Sequence, residues 1–127
     1  MREQLRDRER LEHILAAIER IVRYTSNKSF DDLVSDDMMY YAVVKNIEII
    51  GEAANMITDA FQILHPETPW KKVKGMRNYI VHEYFQVDDI IVWEVATKDL
   101  IVLKNQITKY IAETDWEKWN NNTITLK

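Results

Sequence analysis

The sequence contains no cysteine, which removes disulfides, zinc ribbons and thiol catalysis. That absence suits a reducing cytosol. Glycine is almost as scarce, with only Gly51 and Gly75 in 127 residues. A Walker A loop needs two closely spaced glycines and the dinucleotide fingerprint needs three, so both are excluded. β-Sandwiches and barrels built on many tight turns are disfavoured too. No apolar run approaches the roughly 18–20 residues of a membrane span. The opening stretch, Met1-Arg2-Glu3-Gln4-Leu5-Arg6-Asp7, is charged and has no leader character. The expectation is a cytoplasmic chain without membrane association, in which the sequons at Asn27 and Asn121 carry no weight.

What is present is enough apolar material for a core, at 46% hydrophobic residues. The length predicts one domain over residues 1–127, with a core of about 3–112 and a C-terminal extension at 113–127. Lys and Arg total 17 against 21 Asp and Glu, a net charge of −4. That balance argues against a generic nucleic-acid coat, although a local basic patch is all that RNA binding requires.

The apolar pattern is helical almost throughout, predicting an all-α, antiparallel, up-and-down bundle of four to five helices. Leu11, Ile14, Leu15, Ile18, Ile21 and Val22 mark a first helix over about residues 3–24. Ser29 followed by Asp32 can cap one short turn through Leu33. Ser35 is the expected cap of a long second helix, whose seam runs Val43, Ile47, Ile50, Ala54, Ile57, Phe61, Leu64. His65-Pro66 ends it. Thr68 and Pro69 predict the N-cap and first residue of a third helix, reaching about Phe85 with an irregularity at Gly75. Asp88 caps a last helix with a seam at Trp93, Ala96, Leu100, Leu103, Ile107 and Tyr110. Thr114 to Glu117 has the form of a capping box for one more turn. Trp93 and Met76 are expected to add bulk to the core, and Trp116 and Trp119 to pack over the bundle end.

The histidines are His13, His65 and His82, none spaced to share a metal with another. His82-Glu83 starts like a zincin motif, but residue 86 is Gln, and no G-x-S-x-G elbow exists. His13 reads as structural and His65 as a helix-end residue.

The chemistry concentrates between Trp70 and Phe85. Lys71, Lys72, Lys74 and Arg77 form a basic cluster, followed by His82 and two tyrosines. An imidazole moves protons near neutral pH. A guanidinium grips a phosphate with a planar fork and stabilises developing charge. This set suits metal-free RNA cleavage, in which a base frees a ribose 2′-OH to attack the adjacent phosphate. At about 100° per residue, Arg77 and Tyr84 fall within roughly 20° on an ideal helix, whereas Arg77 and His82 are roughly 140° apart. Either the helix is irregular here or a second chain completes the site. Gly51 inside a helix costs about 1 kcal/mol relative to Ala and points to a close helix–helix approach. Glu52 beside it is either a surface acid or a group that orients a cation.

Arg77-Asn78-Tyr79-Ile80-Val81-His82-Glu83-Tyr84 resembles the R-x4-H-x-Y motif of the HEPN superfamily, and of its HepT-like toxin branch in particular. Gly51-Glu52-Ala53-Ala54, Pro69-Trp70, Gly75-Met76 and Ile91-Val92-Trp93-Glu94 share that resemblance, which covers roughly residues 8–112. It implies a prokaryotic, homodimeric, metal-independent endoribonuclease toxin. Arg77 and His82 would be its catalytic pair, with Asn78 in support. Lys71, Lys72 and Lys74 remain candidates for RNA contact. The chain itself would use no cofactor. A cognate minimal nucleotidyltransferase antitoxin would use ATP and Mg²⁺ to transfer AMP to Tyr84, blocking the cleft and repelling RNA phosphates. The alternative is a non-catalytic nucleotide- or RNA-binding partner of such a nucleotidyltransferase, and a third reading is a purely structural bundle.

Overall fold

The computed structural model describes residues 4–78 and 88–121, and all structural statements concern these. Among them every regular element is helical. A 3₁₀ turn at Gln4–Arg6 leads into α1 (Asp7–Thr25), which buries Leu11, Ile14, Ala17, Ile18 and Ile21 at helical spacing. Asn27, at φ 61°, turns the chain. The short α2 (Phe30–Ser35) then opens on a full capping box between Ser29 and Asp32.

The long α3 (Asp37–Met56) is capped by Asp36, whose carboxylate accepts from Met39 N, and not by Ser35 as the sequence suggested. It ends earlier than its apolar seam implied. Thr58 gives its backbone N–H to the Asp7 carboxylate at 2.9 Å and its hydroxyl to the same group at 2.6 Å. Ile57 turns extended, and Thr58 caps a separate helix α4 (Asp59–Leu64). A tertiary hydrogen bond thus competes with the helical ladder, which a periodicity of apolar residues cannot reveal. Ile57 and Phe61 still reach the core, but Leu64, the last seam position, is exposed.

Helix α5 (Trp70–Gly75) starts after Pro69, which caps without a side-chain bond. Thr68, expected at that cap, is instead buried and bonded to Gln106 and Tyr110. Asp88 caps α6 (Asp89–Glu94), its carboxylate accepting from Ile90 N at 2.8 Å. A π turn at Val95–Asp99 carries the chain into α7 (Leu100–Glu113). The wider turn shifts the buried face. The interior positions are therefore Val92, Val95, Ala96 and Leu100, while Trp93 is half-buried, edge-on to Phe30. Finally Asp115, one residue later than predicted, caps α8 (Trp116–Asn120).

Phe61 is the hub of an aromatic cluster at one end of the bundle. Trp116 stacks on it at 5.9 Å between centroids, and Trp119 and Tyr110 meet it edge-on. Trp119 also donates its indole N–H to Asp7 at 3.0 Å. One buried carboxylate therefore ties together the start of α1, the α3–α4 joint and α8. Burial pushes the Asp7 carboxyl above its usual value despite these donors. No described helix is long and apolar enough to cross a membrane.

Candidate active site around Arg77

Arg77 does not lie on a continuous helix. After Gly75 the chain tightens: Met76 N bonds to Val73 O at 3.1 Å and Arg77 N to Lys74 O at 3.3 Å, three-residue closures in place of the four-residue ladder. Helix α5 therefore ends before Arg77. The angular relations from Arg77 to His82 and Tyr84 fall on residues outside those described.

What fixes the turn is its packing. Trp70, Val73 and Met76 are buried on one side of the segment, and Trp70 donates its indole N–H to His65 O at 2.9 Å. On the other side of the contact stands Gly51 of α3. A methyl group there would lie 2.8 Å from Arg77 Cα and from Met76 C, and would meet Arg77 N more closely still. Carbon atoms in contact want about 3.5–4.0 Å. Gly51 is thus the close approach expected of it, and what approaches is the backbone of Arg77. Among the described residues nothing lies within 4 Å of where a Gly75 Cβ would be, so none of them requires a glycine there.

The Arg77 side chain is half-buried and Asn78 is exposed. Of the lysines, Lys71 is exposed and Lys74 half-buried. Lys72 lies 3.3 Å from Asp99 across an exposed contact. This pair joins the α5 segment to the π turn. Beneath it a cavity of about 200 Å³ is lined by Val73, Met76 and Val102 among others. His82 and Tyr84 lie outside the described residues. Arg77, Asn78 and the lysines therefore share one short segment braced on α3 and the π turn. A guanidinium on such a rigid backbone is suited to holding a phosphate.

The other histidines have different surroundings. His65 caps the C-terminus of α4 and packs between Phe61 and Tyr110, where burial lowers its pKa. His13, read from sequence as structural, is exposed, 3.9 Å from Glu9. Glu52 is exposed on α3. Tyr40, beside Asp89, has a phenol pushed up to about 12 by burial first and by that carboxylate second. Sequence reasoning did not pick out Asn46, a buried amide inside the apolar seam of α3 that accepts from Arg20 Nε at 2.7 Å. Its signal was a polar residue one position before Ile47.

Residues 14–110 match the family described as Ribonuclease HepT-like. A Thermococcus cleftensis protein named "Probable ribonuclease HepT" is 39% identical over 99 residues, 78% of this chain and 90% of that protein. A provisionally named RNase of Caldanaerobacter subterraneus subsp. tengcongensis is 38% identical over 101 residues, 80% of this chain and 90% of its own length. A Methanocaldococcus jannaschii protein, named as a gamma-glutamylcyclotransferase and provisional RNase, is 39% identical over 114 residues. That match covers 90% of this chain but only 51% of the longer relative. No solved structure matches the chain.

Proposed function

The chain belongs to the HepT-like ribonuclease family, and on that premise we propose that it is a metal-independent endoribonuclease toxin acting as a homodimer. The observation that carries this reading is the Arg77–Tyr84 string inside the matched region, with the Arg77 backbone seated against Gly51. His82 takes the proton from a ribose 2′-OH, and the 2′-oxygen attacks the neighbouring phosphorus. Arg77 holds the non-bridging oxygens as charge builds on them. The bond to the 5′-oxygen breaks, and that oxygen leaves as a hydroxyl after taking a proton from solvent. The products carry a 2′,3′-cyclic phosphate and a 5′-hydroxyl. Asn78 and the lysines at 71, 72 and 74 steady the strand.

The surface supports a dimer. Ile90, Ile91, Ile101 and Val102 are exposed along α6 and α7, and the Glu94–Lys98 pair (3.1 Å) lies between them in sequence. A second copy running antiparallel, with its two-fold axis level with Ala96, would place Ile90 near the partner's Val102, Ile91 near the partner's Ile101 and Glu94 opposite the partner's Lys98. Such a stripe is complementary to itself, as a two-fold contact requires.

Tyr84 is the proposed acceptor of AMP from a nucleotidyltransferase antitoxin. Its phenol oxygen attacks the α-phosphorus of ATP, pyrophosphate leaves, and Mg²⁺ stays with the partner enzyme. The test is cleavage of tRNA and mRNA in EDTA by protein made without any nucleotidyltransferase. Wild type should cut, while His82→Ala and Arg77→Ala should stay folded and inactive. Retained cleavage in both variants refutes the site. Tyr84→Phe should still cut but escape neutralisation. Tight RNA binding by folded, unmodified dimer without cleavage favours the non-catalytic alternative.

A further inference from the structure

A groove of about 440 Å³ lies between α1 and α3. Ala16 and Ala53 give it depth, and Arg10, His13 and Arg20 line it from one face of α1. Lys45, Glu48 and Glu52 line it from α3. The feature that makes this more than a gap is Asn46, which is only 5% exposed. A buried primary amide costs desolvation, and its neighbours Val43, Ile47 and Ile50 show that an apolar side chain fits this seam. Asn46 spends both polar ends locally: Nδ2 donates to Ala42 O at 2.8 Å and Oδ1 accepts from Arg20 Nε at 2.7 Å. The result is a guanidinium plane fixed by a buried group. With Nε committed, the two Nη groups of Arg20 make no hydrogen bond or ion pair among the described residues.

We propose that this groove binds the phosphodiester backbone of a single RNA strand, with Arg20 as the fork that grips one phosphate and Asn46 as the residue that positions it. The proposal rests on the ribonuclease reading above and extends the substrate path away from the scissile phosphate. Lys45 stands 2.8 Å from Glu48 and neutralises it. Glu52 remains as an acceptor for a ribose hydroxyl or a base amino group. The groove and the Arg77 site share α3: Glu52 lines the groove, and the preceding residue, Gly51, about 100° round the helix, touches the Arg77 backbone. From Arg10 to Arg20, α1 advances about 15 Å at 1.5 Å per residue, room for a short run of nucleotides.

Binding of a labelled single-stranded RNA, 2′-O-methylated so that it cannot be cut, tests this across a salt series. Arg20→Ala should weaken binding about tenfold, the loss of one charged hydrogen-bonding fork. It should also flatten the slope of log affinity against log salt by about 0.7, one phosphate contact on a single strand. Asn46→Leu keeps the charge but frees the guanidinium, so affinity should fall severalfold with the slope unchanged. Thermal melting checks that both variants are folded. Wild-type affinity and slope in Arg20→Ala would overturn the groove assignment. A wild-type affinity in Asn46→Leu would overturn the positioning role. Failure of the wild-type chain to bind any RNA would overturn the ribonuclease reading itself, a separate outcome from either.

Discussion

Replacing Gly51 by Ala gives the sharpest test of how the fold holds the site. In an open helix the change would stabilise by about 1 kcal/mol, because Ala is the better helix former. Here the new methyl would sit 2.8 Å from Arg77 Cα and Met76 C. Both are main-chain atoms, and Met76, Val73 and Trp70 anchor that segment in the core, so a side-chain rotation cannot relieve the overlap. Overpacking of this kind costs about 3 kcal/mol at the upper end of its usual range. Net destabilisation of about 2 kcal/mol follows, a fall of about 5–10 °C in Tm for a chain of this size. To regain about 3.5 Å at Arg77 Cα and Met76 C the segment must retreat by about 0.7 Å, and by more at Arg77 N, carrying Arg77 with it. A displacement of that order at a group that holds the reacting phosphate lowers cleavage by about a hundredfold. Gly75→Ala is the internal control, since no described residue lies within 4 Å of the added methyl. It should leave both properties unchanged or raise Tm slightly. The measurements are calorimetric melting and initial cleavage rates, taken at a temperature where both variants are folded. A Gly51→Ala protein with wild-type Tm and wild-type rate would refute the reasoning. One that loses stability but cuts normally would refute the link to Arg77 alone.

Asp7→Ala leaves the Thr58 N–H, the Thr58 hydroxyl and the Trp119 indole N–H without their acceptor. It should cost about 3 kcal/mol in urea unfolding, with Trp119 emission shifted to the red. Burial raises the Asp7 carboxyl, so the folded state holds that proton more tightly than the unfolded chain. Its proton-linked contribution is complete below the ordinary pKa of 3.8 and is lost as pH rises through the raised value. The difference in stability between wild type and Asp7→Asn should therefore move against wild type across that window, and a flat difference would refute the assignment. At the proposed dimer stripe, Glu94→Lys should weaken association in sedimentation experiments by placing it opposite the partner's Lys98. Combining it with Lys98→Glu should restore association; failure to restore it would remove the two-fold arrangement.

Much of the architecture was legible in the chain. Apolar residues at three–four spacing located α1, most of α3 and α7 because one helical face must leave water. Ser29 with Asp32, and Asp88, announced their caps because their carboxylates and hydroxyls satisfy nearby backbone N–H groups. Gly51 announced a close contact because nothing else justifies a glycine in mid-helix. What escaped were features decided by distant partners. Thr58 leaves α3 for a carboxylate 51 residues away. The π turn at Val95–Asp99 moves Trp93 off the buried face. Asn46 is held against Arg20, 26 residues earlier, a pairing that no local pattern announces.

The sequence by itself determined the class of fold, the order of the helices and the family, since these depend on local pattern and on motifs read along the chain. Only the tertiary structure decided that the partner of Gly51 is the Arg77 backbone, and that Arg77 follows a tightened turn. It also placed Arg20, with its Nε bonded to Asn46, in a groove that Glu52 lines from the same helix. These are relations between helices, set by packing and by buried hydrogen bonds whose two ends lie far apart in the chain.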